Sequence, residues 1–149
     1  MKNLISILLL SFIAFTAKAQ TSQKYNSLYE RTEFFDQYGK MIGYAKVSSL
    51  YNRVEYYDAY GKLVKYEKQN ELYDRKETYN SNNQQTGYEK YNELYERTDK
   101  YDSNSKQEGY RKWNDLYERY DVYNAQGKKV GHYKYNRLYE RWDYTESSY

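Results

Sequence analysis

The tetrapeptide Leu-Tyr-x-Arg recurs six times at a constant spacing of 22 residues, starting at Leu28, Leu50, Leu72, Leu94, Leu116 and Leu138. A fixed period of this length marks a repeat protein, in which each unit is one small supersecondary element held by its neighbours. Each unit reads as two strands around a turn. The turns are Asp36-Gln37-Tyr38-Gly39, Asp58 to Gly61, Asn80 to Asn83, Asp102 to Ser105 and Asn124 to Gly127. Asp or Asn at the first place and Gly or Asn at the fourth suit a type I turn closed by a left-handed residue. Ser105 fits least, so the fourth turn is expected to be the loosest.

Continued along the strands, this turn predicts a register. Phe34 is set opposite Ile42, Tyr56 opposite Val64, Thr78 opposite Thr86, Lys100 opposite Glu108 and Val122 opposite Val130. Apolar meets apolar, hydroxyl meets hydroxyl and base meets acid, which are the favourable cross-strand combinations. The same register puts Glu30 against Lys46, Glu33 against Gly43 and Lys65 against Glu55. Alternation then sends Tyr29, Arg31, Glu33 and Phe35 to one face, with Tyr91, Trp113 and Tyr135 joining from the return strands. Tyr44, Tyr66, Tyr88, Tyr110 and His132 go to the other. The expected fold is all-β. Tandem hairpins of 22 residues form an elongated antiparallel meander, a single-layer sheet of eleven strands roughly 50 Å wide at about 4.8 Å per strand. The alternative is a β-solenoid. The link at Asn70-Glu71-Leu72 and its equivalents has no assignable turn type.

Residues 1–19 stand apart from the repeats. Lys2, an apolar run from Leu4 to Phe15 and Ala17-Lys18-Ala19 form the pattern of a secretory signal peptide, and the run is too short for a membrane span. Residues 20–149 are then a single repeat domain, secreted or periplasmic, with no membrane span after cleavage. Loss of Lys2 and Lys18 leaves 22 bases against 21 acids, which excludes a basic nucleic-acid binder. Neither Cys nor Pro occurs. Aliphatic residues are scarce, but 24 Tyr lie in the repeats and supply apolar area that tolerates water. A thin aromatic sheet without a thick core follows.

The segments Tyr57-Asp58-Ala59-Tyr60-Gly61-Lys62, Tyr101-Asp102 and Gly43-Tyr44, Gly87-Tyr88 and Gly109-Tyr110 resemble bacterial aromatic hairpin repeats of three kinds. These are the YD (Rhs-type) repeats, the MORN-type repeats and the repeats of choline- and glucan-binding modules. The resemblance implies hairpin units that present aromatic side chains.

No catalytic group stands out. His132 is the only imidazole and takes a place that Tyr holds in the other units. The row Glu33, Glu55, Glu77, Asp99, Asp121 and Asp143 has bases within reach of every member, so no acid is set apart as a catalyst. No cofactor or metal site is expected. The expected function is non-enzymatic: binding of a cell-surface or extracellular glycan. Its candidate residues are the motif pairs Tyr29 and Arg31, Tyr51 and Arg53, Tyr73 and Arg75, Tyr95 and Arg97, Tyr117 and Arg119, and Tyr139 and Arg141, with Trp113. Flat aromatics beside donors suit sugars, and repetition multiplies weak contacts. The competing expectations are a fibre-forming surface protein and a periplasmic protein-interaction module with a cell-surface protein as partner.

Overall fold

A computed structural model describes residues 22–147. The expected signal peptide lies outside them. Twelve strands follow in chain order: β1 (Ser22–Asn26), β2 (Arg31–Phe35), β3 (Met41–Ser48), β4 (Arg53–Asp58), β5 (Leu63–Asn70), β6 (Arg75–Asn80), β7 (Gln85–Asn92), β8 (Arg97–Asp102), β9 (Gln107–Asn114), β10 (Arg119–Asn124), β11 (Lys129–Asn136) and β12 (Arg141–Glu146). Each pairs antiparallel with the next, as a meander should. The meander does not lie open, however. β1 pairs with β12 through Ser22–Asp143 and Gln23–Trp142, and the sheet closes into a barrel. The flat ribbon and the solenoid are both set aside. Closure removes the two exposed edges that an open meander would offer to other chains. The count rises from eleven to twelve because Ser22–Asn26 forms a full strand beside β2.

The Asp-x-x-Gly hairpins have the expected form. The Gly39 amide donates to the Asp36 carbonyl at 3.0 Å, and the Asp36 amide donates to the Lys40 carbonyl at 3.0 Å. The Asp36 carboxylate accepts from the amides of Tyr38 and Lys40, both at 2.9 Å. Ser105 does not loosen its turn: it takes φ 64°, and its amide reaches the Asp102 carbonyl at 3.1 Å. The opposite links are four-residue loops. Glu71 to Asp74 join Asn70 and Arg75, which pair directly. The left-handed residue there is not Leu but the variable third place of the motif, with φ from 46° to 50° at Glu30, Asn52, Asp74, Glu96, Glu118 and Glu140. Asn70 anchors the loop, accepting the Tyr73 amide on Oδ1 at 3.3 Å while its Nδ2 donates to Glu77 at 3.0 Å.

The register is displaced by one residue from the expectation. Phe35 does face Met41, but a bulge then inserts Ile42, so Phe34 faces Gly43 and Glu33 faces Tyr44. The same bulge sets Tyr56 opposite Lys65, Thr78 opposite Gly87, Lys100 opposite Gly109 and Val122 opposite Gly131. Lys46 consequently faces Arg31, not Glu30. Two residues of the bulged strand oppose one of its partner, so Lys100 still reaches Glu108 at 3.0 Å although its Cα partner is Gly109. Gly suits the slot because a Cβ on Gly87 would strike the Tyr101 carbonyl oxygen of β8.

This shift redistributes the faces. Tyr44, Tyr66, Tyr88 and Tyr110 share the outer wall with the motif arginines. Trp113 turns instead toward the inner side, where its ring meets Tyr120 edge-on at 4.8 Å. The interior is not empty of apolar matter either. Phe34, Ala45 and Tyr56 are each 0% exposed, with Ile42 and Val54 packed against them. An eight-stranded barrel is just filled by ordinary side chains. Twelve strands enclose a wider space, and the long interior residues described below span it.

Candidate functional site

Three regions carry the chemistry, and the first is the outer wall. In the third unit the Arg75 Nε and Nη2 donate to Glu77 Oε1 at 2.8 and 2.6 Å. The Arg75 guanidinium lies between two rings, 4.8 Å from that of Tyr73 and 4.3 Å from that of Tyr88. Tyr79 donates to Glu77 Oε2 at 2.7 Å, and Tyr88 stacks on Tyr101 of the next unit at 4.8 Å. Arg31, Arg53 and Arg97 repeat the arrangement, each between two tyrosines. Arg119 and Arg141 lie over Tyr117 and Tyr139. In the fifth unit His132 takes the place of the second tyrosine, and burial together with the cations of Arg119 and Lys129 pushes its imidazole below the ordinary value.

The carboxylates of this wall are tied down. Burial alone would raise Glu77, but hydrogen bonds from Tyr79, Arg75 and Asn70 outweigh it and leave its carboxyl below the usual range. The Glu77 bond in turn pushes the Tyr79 hydroxyl up to about 12, with burial adding to it. Glu55 and Tyr57 behave in the same way, Tyr57 again reaching about 12. Among the described residues no group of three or more His, Asp or Glu side chains could hold a metal ion.

The second region is the interior. Tyr56 donates to Glu67 Oε2 at 2.9 Å. Glu67 also takes Lys65 at 3.0 Å and Lys76 at 3.1 Å; Lys76 reaches on to Glu89 at 3.0 Å, and Glu89 to Arg111 at 3.1 Å. Burial would lower the Lys76 ammonium, but Glu67 and Glu89 outweigh it and hold it above the ordinary lysine value. Beyond this chain of ions lie Tyr120, Trp113, Tyr135 and Trp142, ring against ring. Tyr133 belongs to the same filling, its hydroxyl pushed up to about 12 chiefly by burial.

The third region is the rim formed by the Leu-Tyr-x-Arg loops. All six motif leucines stand 80–83% exposed at its edge, and the six motif tyrosines are 50–57% exposed beside them. Just inside that rim Val47, Tyr91, Trp113 and Tyr135 are also exposed. A singly exposed leucine needs no explanation, whereas a contiguous apolar patch marks a contact surface. Six such leucines, one in each loop, stand around this rim of the closed barrel, which we call the crown. Acids flank it, with Glu71 and Asp74 beside Leu72, Glu93 and Glu96 beside Leu94, and Asp115 and Glu118 beside Leu116.

The site residues expected from the sequence thus fall into two groups. The motif arginines have both faces on tyrosines or their donors on carboxylates, and the motif tyrosines keep their outer ring surface in solvent. Trp113 sits apart from that row, at the inner edge of the crown, its Nε1 donating to Asp115 at 2.8 Å. The leucines were missed, although their invariance in a loop that needs no leucine was visible from the start. No protein family matches the chain, and no curated protein does. Among solved structures, the X-ray structure of a protein from Arabidopsis thaliana is similar, with a TM-score of 0.63 at 13% identity, covering 87% of this chain and 80% of that one. At such identity the likeness carries the fold alone.

Proposed function

We propose that this barrel is a non-enzymatic, exported interaction module whose crown grips a protein partner. The observation that carries the reading is the sixfold exposure of leucine at one rim. Those leucines lie in turns whose geometry is held by Asn70, Asn92, Asn114 and their equivalents, so folding does not account for them. Ser22, at the start of β1, and Glu146, at the end of β12, lie at the opposite rim from the crown. Carboxylates beside the leucines favour a partner that offers apolar side chains among basic ones. Six equivalent contacts let weak single sites act together.

Glycan binding is the second reading, supported by the motif tyrosine rings, each with solvent on its outer side. The donors that a sugar would use are, however, spent on the wall itself. Retention of the mature chain on cells treated with protease or with periodate separates the two. Protease is expected to abolish binding and periodate to spare it, with Leu72→Ser/Leu94→Ser/Leu116→Ser losing at least tenfold in affinity. Loss on periodate treatment, with the triple variant binding normally, would replace the first reading by the second.

A further inference from the structure

We propose that the crown's partner carries an exposed arginine whose guanidinium seats in a slot at the crown's inner edge, between the rings of Tyr91 and Trp113 and over Thr98. This rests on the reading of the crown as a protein-binding rim, and it names what the partner must bring there. The slot comes from an exception in the repeat. Each return strand places one inward residue at this level, paired with an inward residue of the following strand. Trp113 has Tyr120 against it and Tyr135 has Trp142, with ring centres 4.8 and 5.5 Å apart. Tyr91 pairs with Thr98, which has no ring to offer. Tyr91 is accordingly 57% exposed against 39% for Trp113, and the space over Thr98 is left between the two rings.

The chain's own wall shows what such a place holds. Arg75 lies 4.8 and 4.3 Å from two ring centres, with its donors on Glu77. Tyr91 and Trp113 stand on strands two spacings apart, about 10 Å, which is room for one planar cation at those distances. Among the described residues no cation lies over either ring. Lys90 and Lys112, beside them in the chain, alternate to the outer face, and Arg111 below Trp113 is held by Glu89 at 3.1 Å. Carboxylates are present too. Asp115 accepts the Trp113 Nε1 bond at 2.8 Å, which fixes the indole and brings an acid to its edge. Glu93 opens the loop after Tyr91 and Glu96 closes it, and none of these three acids is ion-paired among the described residues. Aromatic faces attract any cation, but only a guanidinium covers a ring while its planar fork meets a carboxylate. The slot therefore selects arginine over lysine.

The test is an NMR titration of the full mature chain at constant ionic strength, following the Trp113 indole N–H and the Thr98 amide. The probes are the N-acetyl methylamides of arginine, lysine and citrulline, the last having arginine's shape without its charge. Saturable shifts are expected with arginine, binding at least threefold weaker with lysine, and no saturation with citrulline. Asp115→Asn and Tyr91→Ser, with thermal melts to verify a folded barrel, should each weaken the arginine probe threefold or more. Glu30→Gln, in the loop across the barrel mouth, should leave its affinity unchanged. The triple leucine variant should also keep the probe, so its loss of partner binding tests the crown alone. The slot is overturned if no probe saturates, if citrulline binds as well as arginine, or if Glu30→Gln weakens binding as much as Asp115→Asn. The crown reading survives each of those three results.

Discussion

The outer wall of this barrel is nearly the same six times over, while its interior changes from unit to unit. Outside, the order tyrosine, arginine, tyrosine recurs with a carboxylate beneath each guanidinium. Inside, one sector holds Phe34, Ala45 and Tyr56, the next a chain of ions, and the last a cluster of Tyr120, Trp113, Tyr135 and Trp142. A globular protein ordinarily shows the reverse, with a restricted core and a free surface. The inversion has a physical reason. The wall lies in a half-solvated layer where each contact is worth about 0.2–1 kcal/mol, and only repetition makes it sufficient. Interior contacts such as those of Phe34 and Tyr56 are buried and individually large, so each can be made by different residues.

Substitutions should therefore divide sharply between the two. Tyr56→Ala carries the largest expected effect, about 4 kcal/mol, because it empties a fully buried site and leaves Glu67 short of a donor. Tyr56→Phe keeps the ring and should cost only about 1–2 kcal/mol. Urea denaturation measures both; equal losses would mean that the hydroxyl, not the ring, fills the site. Lys76→Met comes next, at about 3 kcal/mol, since Glu67 and Glu89 would share an interior without the cation between them. A neutral outcome would show that water reaches this chain of ions.

On the wall, Arg75→Ala should cost about 1–2 kcal/mol, removing two ring contacts and two bonds to Glu77. Arg53→Ala should match it within about 0.5 kcal/mol, because Arg53 makes the same two ring contacts and two bonds to Glu55, and Arg97→Ala should fall at or slightly below that range, because Arg97 bonds the shorter Asp99 through Nε alone. A wide spread among the three would break the contrast drawn above. Lysine at position 75 should recover less than half of the loss, since an ammonium cannot cover two rings and a carboxylate together.

Alkali separates the regions by cause. Tyr79 is raised to about 12 by its bond to Glu77, and Tyr133 to about 12 chiefly by burial. A tyrosine free in the unfolded chain ionises at 10.0. The stability that these groups contribute is complete below pH 10 and is lost as pH rises toward 12. Glu77→Gln should bring the Tyr79 titration down while leaving that of Tyr133 in place, as followed by phenolate absorbance. If both move together, the two regions are not independent.

Much of this wall could be read from the amino acids. Asp36, Asp58 and Asp102 announce their hairpins, and the pairing of Phe35 with Met41 follows directly from that turn. One residue further on the reading slips, because a bulge at Ile42 is a second irregularity that no turn rule supplies. The Gly at 43, 87, 109 and 131 was its trace: a residue without a side chain recurring inside a strand signals a bulge or a close backbone approach. That single displacement moved Trp113 to the wrong face and put the Tyr44 row on the wrong side. Closure was harder to foresee. It depends on twist accumulated over twelve strands and on the contact of Gln23 with Trp142, residues 119 positions apart with no local pattern to join them. The crown was legible in part, since Leu28 and its five equivalents were seen, but their exposure depends on which loop residue turns left-handed.

That loop residue gives the smallest and cleanest test. Glu96 sits at φ 49°, a conformation that costs a side-chain-bearing residue about 1 kcal/mol and that Asn tolerates better. The second unit already carries Asn52 there, at φ 46°. Glu96→Asn should therefore stabilise the barrel by about 0.5 kcal/mol, and the same change at Glu30 and Glu140 should add independently, while at Glu118 it also removes an exposed ion pair with Arg137 of the next loop. Differential scanning calorimetry would register the combined variant as a rise of about 4–8 °C in Tm. A fall instead would mean that these acids hold the crown's loops through contacts of their own, and the glutamates would then belong with the leucines as part of the gripping surface.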